Sequence, residues 1–177
     1  LLSLEKSLNP INLESQGKEL AKKLSARGGS AFGGKDKTPL IYSSQNYKAL
    51  AYIWKIKFNE NSKIHAFCNY FPELNHNEMV GYSCNMQHAT CNKNFHTIIL
   101  RSNDDHPRIK QRIMLTAQLI EKQGGSVDTI DIKGDGVYNK VFNTILLADW
   151  TSYYLALENN IDPTPVDIVE EFKKELS

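Results

Sequence analysis

The sequence predicts an α/β fold, a three-layer sandwich in which a parallel sheet is flanked by helices, on three observations. Short apolar runs alternate with longer segments whose apolar residues recur every three or four positions. Such alternation requires crossover connections, which join parallel neighbours and leave helices on the sheet faces. Two strongly polar segments directly follow apolar runs, and open sheets of this kind take ligands at the carboxyl ends of their strands. At 177 residues the chain suits one compact unit with a single core.

In residues 13–24, Leu13, Gly17, Leu20, Ala21 and Leu24 share one face, which predicts an amphipathic entry helix. Gly28, Gly29, Gly33 and Gly34 then end all periodicity. Residues 1–37 therefore read as a connecting helix with a glycine-rich linker, and residues 38–177 as the domain proper. A buried strand is predicted over 38–42, then Ser43 and Ser44 as cap candidates, then a helix over 47–58 that ends at the polar Asn59, Glu60 and Asn61. Further strands fall at 64–71 and 97–100. Pro107 opens a helix over 107–122, and Gly124 and Gly125 stop it. A strand over 127–132, a long helix over 137–157 and a final amphipathic helix over 166–176, introduced by Pro163 and Pro165, complete the chain.

Composition narrows the function. Twenty-one basic and 20 acidic residues are interspersed for a net charge of +1, with no block of like charge to grip a nucleic acid or a membrane surface. The apolar runs are far shorter than the ~20 residues of a membrane span, and the first residues do not resemble a signal peptide. A soluble, cytoplasmic protein is expected. Three cysteines, Cys68, Cys84 and Cys91, are expected as free thiols, since the number is odd and a core of this size needs no disulfides.

The two polar segments carry the chemistry. Asn75, His76, Asn77 and Glu78 lie between apolar Leu74 and the Met79–Val80 pair; a carboxylate placed there suits a general base, and the same residues also fit a solvated, self-capping loop. His106 stands between Asp105 and Pro107 at a helix start, where an imidazole exchanges protons near neutral pH or serves as a surface cap. Thr151 accompanies Trp150, Tyr153 and Tyr154 late in the long helix, a cluster that fits packing or the border of a crevice. Cys84, His88, Cys91 and His96 are zinc-ligand types at a spacing that matches no usual zinc motif, and no metal is expected. The glycine-rich segment 29–35 mimics a phosphate loop, but Asp36 stands where Ser or Thr is required and the segment precedes a strand.

Taken together, these segments resemble the C-terminal SIS domain of the bifunctional phosphoglucose/phosphomannose isomerases of archaea and bacteria. The resemblance is carried by Leu50 to Lys55 leading to Asn59–Lys63, by Phe71–Pro72–Glu73–Leu74–Asn75–His76–Asn77–Glu78–Met79–Val80–Gly81–Tyr82, by Leu100–Arg101 through Asp105–His106–Pro107–Arg108, by Ala148 to Ala156, and by Ile161–Asp162–Pro163–Thr164–Pro165–Val166. It implies a flavodoxin-like SIS fold, of which this chain is the second of two tandem copies, without the serine- and threonine-rich loops that hold the substrate phosphate in the first.

The resemblance further implies aldose–ketose isomerisation of glucose 6-phosphate or mannose 6-phosphate to fructose 6-phosphate through a cis-enediol, with no organic or metal cofactor. Glu78 takes the position of the base that moves the proton between C1 and C2. His106, with His96 as the runner-up, takes that of the histidine that opens the sugar ring and is delivered by a neighbouring subunit, which makes the expected partner a second copy in a homodimer with the site at the interface. Thr151 takes the position of a threonine that leaves room for both C2 epimers. The family's lysine about two turns later is replaced by Ala156, Leu157 and Glu158. The alternatives are an SIS module that binds a phosphosugar without transforming it, and a dimerisation domain.

Overall fold

The computed structural model describes residues 10–25, 37–83 and 92–176. Its centre is a four-stranded, all-parallel sheet built from β1 (Thr38–Ser44), β2 (Phe67–Phe71), β3 (Phe95–Arg101) and β4 (Ser126–Asp131) in the order β2-β1-β3-β4. The helices are α1 (Pro10–Leu24), α2 (Lys48–Asn61), α3 (Pro107–Lys122), α4 (Gly136–Glu158) and α5 (Asp167–Glu175). The expected three-layer α/β sandwich is present.

The topology follows from crossover handedness. From β1 the chain moves to β2 on one side, then returns past β1 to β3 and β4 on the other. Right-handed crossovers in opposite directions put their helices on opposite faces. Strand alternation shows the result. Ile41, Ile98 and Leu100 pack with α1, α2 and α4 around Trp54, Phe58 and Leu155, while Leu40, Tyr42, Phe71 and Ile99 pack with α3 through Ile113 and Ile120. Strands β1 and β3 are buried on both faces, hence their nearly continuous apolar sequence.

The helix over 13–24 extends back to Pro10 and, although assigned to the connecting segment, contributes Leu20, Ala21 and Leu24 to the same core as the domain proper. It lies close against α4 at Gly17, where a β-carbon would stand 2.6 Å from Trp150 Cβ and 2.9 Å from the Thr151 amide nitrogen. The strand expected over 64–71 begins only at Phe67, because Lys63 turns the chain at φ 57° and Asn59 Nδ2 donates to the Ile64 carbonyl at 2.8 Å. Ser43 and Ser44 finish β1 and make no side-chain cap. Pro107 does occupy the first turn of α3. Helix α5 buries none of its residues in this chain and leaves Ile168, Phe172 and Leu176 exposed. Cys68 is a free thiol, while Cys84, His88, Cys91 and the glycine-rich segment lie outside the described residues. Among the described residues no helix is long and apolar enough to cross a membrane.

Candidate active site

After the carboxyl end of β2 the chain makes two short 3-10 turns, Glu73–Asn75 and Glu78–Tyr82, over the α3 face of the sheet. Buried Leu74 anchors the first turn in the core beside Phe71 and Tyr82. Asn75 ties it to α3: its Oδ1 accepts from Arg112 Nη1 at 3.2 Å and its Nδ2 donates to Thr116 Oγ1 at 3.0 Å. Asn77 opens the second turn, with its Oδ1 accepting from the Glu78 amide at 2.6 Å and its Nδ2 donating to Glu73 Oε1 at 3.0 Å. Both asparagines of the polar quartet thus act on the backbone or on neighbours, in the manner of turn-forming amide side chains. Their effect is to carry Glu78 to one place.

Glu78 is half-buried, and both of its carboxylate oxygens are engaged. Tyr42, from β1, donates its hydroxyl to Oε1 at 2.8 Å; Asn69, from β2, donates Nδ2 to Oε2 at 2.5 Å. These two donors are register partners on adjacent strands, so the sheet itself sets their separation. Behind Tyr42 the bonding continues: its hydroxyl lies 2.9 Å from that of Tyr82, which lies 2.9 Å from Thr97 Oγ1. All three hydroxyl residues are buried. Burial, and after it the neighbouring Tyr82 and Glu78, push the Tyr42 phenol far above the usual tyrosine range; burial also raises Tyr82. Both remain protonated donors at any physiological pH. A partly exposed carboxylate oriented by two protein donors can accept a proton from a bound molecule and return it.

His106 sits at the carboxyl edge of the sheet as the N-cap of α3, its exposed imidazole accepting from the Arg108 amide through Nδ1 at 3.2 Å. No hydrogen bond joins it to Glu78 within the described chain. Beside it, Asp105 accepts from the Ser102 amide at 2.8 Å through Oδ2. Its Oδ1 and Ser44 Oγ, at the end of the neighbouring β1, are buried without a partner among the described residues. At this edge Arg101 is paired with Asp131 at 2.5 Å and Lys140 with Asp104.

His96 occupies a different setting. It is the second residue of β3, almost fully buried on the α1 face, with Nε2 2.9 Å from Asp128 Oδ2 and Nδ1 2.9 Å from Ser126 Oγ. Thr151 is fully buried in α4, its hydroxyl donating to the Leu147 carbonyl at 2.7 Å, in the helical layer across the sheet from Glu78. Glu78 and His106 therefore share the carboxyl side of the sheet and the α3 layer, and neither His96 nor Thr151 joins them within one chain. Of the partners that hold Glu78, Asn69 left a trace in the sequence, as a polar residue inside an apolar strand. Nothing in the sequence marks the hydroxyls of Tyr42 and Tyr82 for this use.

A family model described as bacterial phospho-glucose isomerase C-terminal SIS domain matches residues 14–176. Among curated proteins, the bifunctional phosphoglucose/phosphomannose isomerase of Thermoplasma volcanium is 35% identical over 139 residues, covering 78% of this chain and 43% of the relative. That of Aquifex aeolicus is 32% identical over 170 residues, covering 95% of this chain and 48% of the relative. The chain thus spans less than half the length of the curated relatives it matches. Among solved structures, a glucose-6-phosphate isomerase like protein from Thermus thermophilus aligns over 89% of this chain and 46% of its own at TM-score 0.62 and 18% identity. The C-terminal domain of glucosamine-fructose-6-phosphate aminotransferase from Francisella tularensis aligns over 86% and 42% at TM-score 0.59 and 19% identity. At these identities the two structural likenesses bear on the fold alone.

Proposed function

The chain belongs to the family of bacterial phospho-glucose isomerase C-terminal SIS domains, and from that membership we propose that it forms the C-terminal half of an isomerase converting glucose 6-phosphate, mannose 6-phosphate or both to fructose 6-phosphate. The observation that carries this reading is the Glu78 carboxylate, half-exposed beyond β2 and oriented through both oxygens by Tyr42 and Asn69. Moving a proton between C1 and C2 needs one group that takes it from one carbon and returns it to the other, and a fixed carboxylate does this at little reorganisation cost. His106 supplies ring opening: its exposed imidazole at the sheet's carboxyl edge is free to meet a sugar held by another subunit, whereas His96 has both ring nitrogens occupied in the core.

Substrate phosphate is bound by the other half of the enzyme. The pairing of Arg101 with Asp131 and of Lys140 with Asp104 fits that division, since each cation is already neutralised by a carboxylate. A homodimer brings His106 of one subunit to Glu78 of the other, while Thr151 stays buried in α4 with its hydroxyl on the Leu147 carbonyl. The reaction is cytoplasmic. The test is conversion of glucose 6-phosphate and mannose 6-phosphate by the two-domain protein, read as fructose 6-phosphate formed. Binding of either sugar phosphate without conversion would replace this reading with that of a phosphosugar sensor.

A further inference from the structure

We infer that Tyr42 is the positioning residue for Glu78: its hydroxyl, locked from behind by Tyr82 and Thr97, holds one carboxylate oxygen while Asn69 holds the other, so that the carboxylate keeps a single orientation. The inference rests on the reading of Glu78 as the base, and it concerns residues that contact the base rather than the sugar.

The polarity of the chain of hydroxyls can be worked out from one end. An ionised carboxylate only accepts hydrogen bonds, so Tyr42 donates its single proton to Glu78 Oε1. The Tyr42 oxygen then accepts from Tyr82, and the Tyr82 oxygen accepts from Thr97. Three O–H dipoles therefore point along one line toward Glu78, each polarising the next. Each of the three rotors is held by the hydrogen bond it donates, in residues that are all buried. The Tyr42 ring is fixed independently by its edge contact with Phe71, at a centroid distance of 6.5 Å and an interplanar angle of 84°.

Of the roughly four lone-pair sites on a carboxylate, two are taken by Tyr42 and Asn69, and the side chain cannot rotate without breaking both bonds. The remaining sites are presented in one direction. That is what a base serving two adjacent carbons requires, since a misplacement of about 1 Å is enough to slow a proton transfer by about 10²-fold. The raised phenol of Tyr42 agrees with a donor that never ionises in place.

Tyr42→Phe keeps the ring and its packing and removes only the oxygen, which makes it the informative variant. On the 177-residue chain, the hydroxyl proton of Tyr42 is expected as a resolved, slowly exchanging NMR signal that moves upfield in Glu78→Gln, where a neutral acceptor replaces the charged one. A crystal structure of Tyr42→Phe should show the Glu78 carboxylate in more than one orientation, with Tyr82→Phe and Thr97→Val disordering it progressively less. A Tyr42 hydroxyl that exchanges as fast as an exposed tyrosine, or a Glu78 carboxylate unmoved in Tyr42→Phe, overturns the inference. In the two-domain enzyme, Tyr42→Phe should lower kcat by about tenfold at unchanged KM; an unchanged kcat also overturns it. The chain-level measurements involve no turnover, so an intact hydroxyl relay in a protein that isomerises nothing would refute the catalytic reading of Glu78 and leave the geometry standing.

Discussion

On one face of the sheet His96 gives both ring nitrogens to Asp128 and Ser126, and Lys23 from α1 completes the group by pairing with Asp128 at 2.6 Å. On the other face Thr97, the very next residue, begins a chain of hydroxyls through Tyr82 and Tyr42 to Glu78. Both clusters are satisfied by hydrogen bonds, as buried polar groups generally are. They differ in how they end. The first closes by pairing its charges between β3, β4 and α1, with His96 almost sealed from solvent and Lys23 exposed at its outer end; the second runs outward and stops at a partly exposed carboxylate with no cation paired to it among the described residues. A closed polar cluster holds elements together, while one that ends in an oriented, reachable carboxylate can act on something that arrives. Two adjacent residues of β3 thus serve the two purposes, because alternate side chains in a strand face opposite ways.

The comparison can be broken most severely by assaying the chain by itself. If the phosphate-binding half supplies the binding energy that positions the sugar, this chain alone should turn over glucose 6-phosphate at less than about a thousandth of an ordinary enzyme's ~10 per second. Turnover of several per second from the 177-residue chain would show that the site is complete within it.

A smaller effect is expected at His106. Replacing it by Ala should lower conversion of cyclic glucose 6-phosphate by roughly 10²-fold, and the defect should shrink with erythrose 4-phosphate, which cannot close such a ring. Because His106 also caps α3 through Nδ1, His106→Asn serves as the control: it restores a cap acceptor but no proton shuttle, and should share the kinetic defect. Recovery of activity in His106→Asn would reduce His106 to a structural cap.

The smallest effect tests the closed cluster. Asp128→Asn should cost about 1–3 kcal/mol of stability by removing a charged hydrogen-bond partner from buried His96, with isomerisation unchanged. Burial acts to raise the Asp128 carboxyl, but the hydrogen bonds from His96 and Lys23 together outweigh it and hold it below the usual range. A carboxyl lowered in the folded state stabilises fully above the unfolded value of about 3.9 and loses that contribution as pH falls through its folded value. The stability difference between wild type and Asp128→Asn, measured by urea unfolding, should therefore be full at pH 6 and shrink below about pH 4. A difference that grows toward acid would contradict this.

Much of the fold was legible because its signals are local. Periodicity and the Pro107 and glycine breaks marked the helices, and buried parallel strands announce themselves as apolar runs. The strand predicted over 64–71 is three residues longer than the one observed, since Ile64 looks like strand material while the positive φ of Lys63 and the Asn59 bond to the Ile64 carbonyl keep it a loop. Glu78 stood out through its polar quartet. Its support did not, because the bonds to Tyr42 and from Tyr42 to Tyr82 join positions 36 and 40 residues apart, and a tyrosine in an apolar strand looks the same whether its hydroxyl is used or not. Thr151 shows the same limit from the other side. Its helix was readable, but the close approach of α1 at Gly17 that helps bury it was not.

The most direct test of the central claim replaces the carboxylate at the end of the open cluster and nothing else. In the two-domain enzyme, Glu78→Gln keeps the size and hydrogen-bonding reach of the side chain but cannot take a proton. Exchange of the C2 proton of the sugar phosphate with solvent deuterium, followed by NMR, is predicted to slow by roughly 10²–10⁴-fold in a protein that still folds, with unfolding stability lowered by about 1–3 kcal/mol because the glutamine NH2 faces one of the two donors that the carboxylate accepted from. Exchange at the wild-type rate in Glu78→Gln would contradict the account.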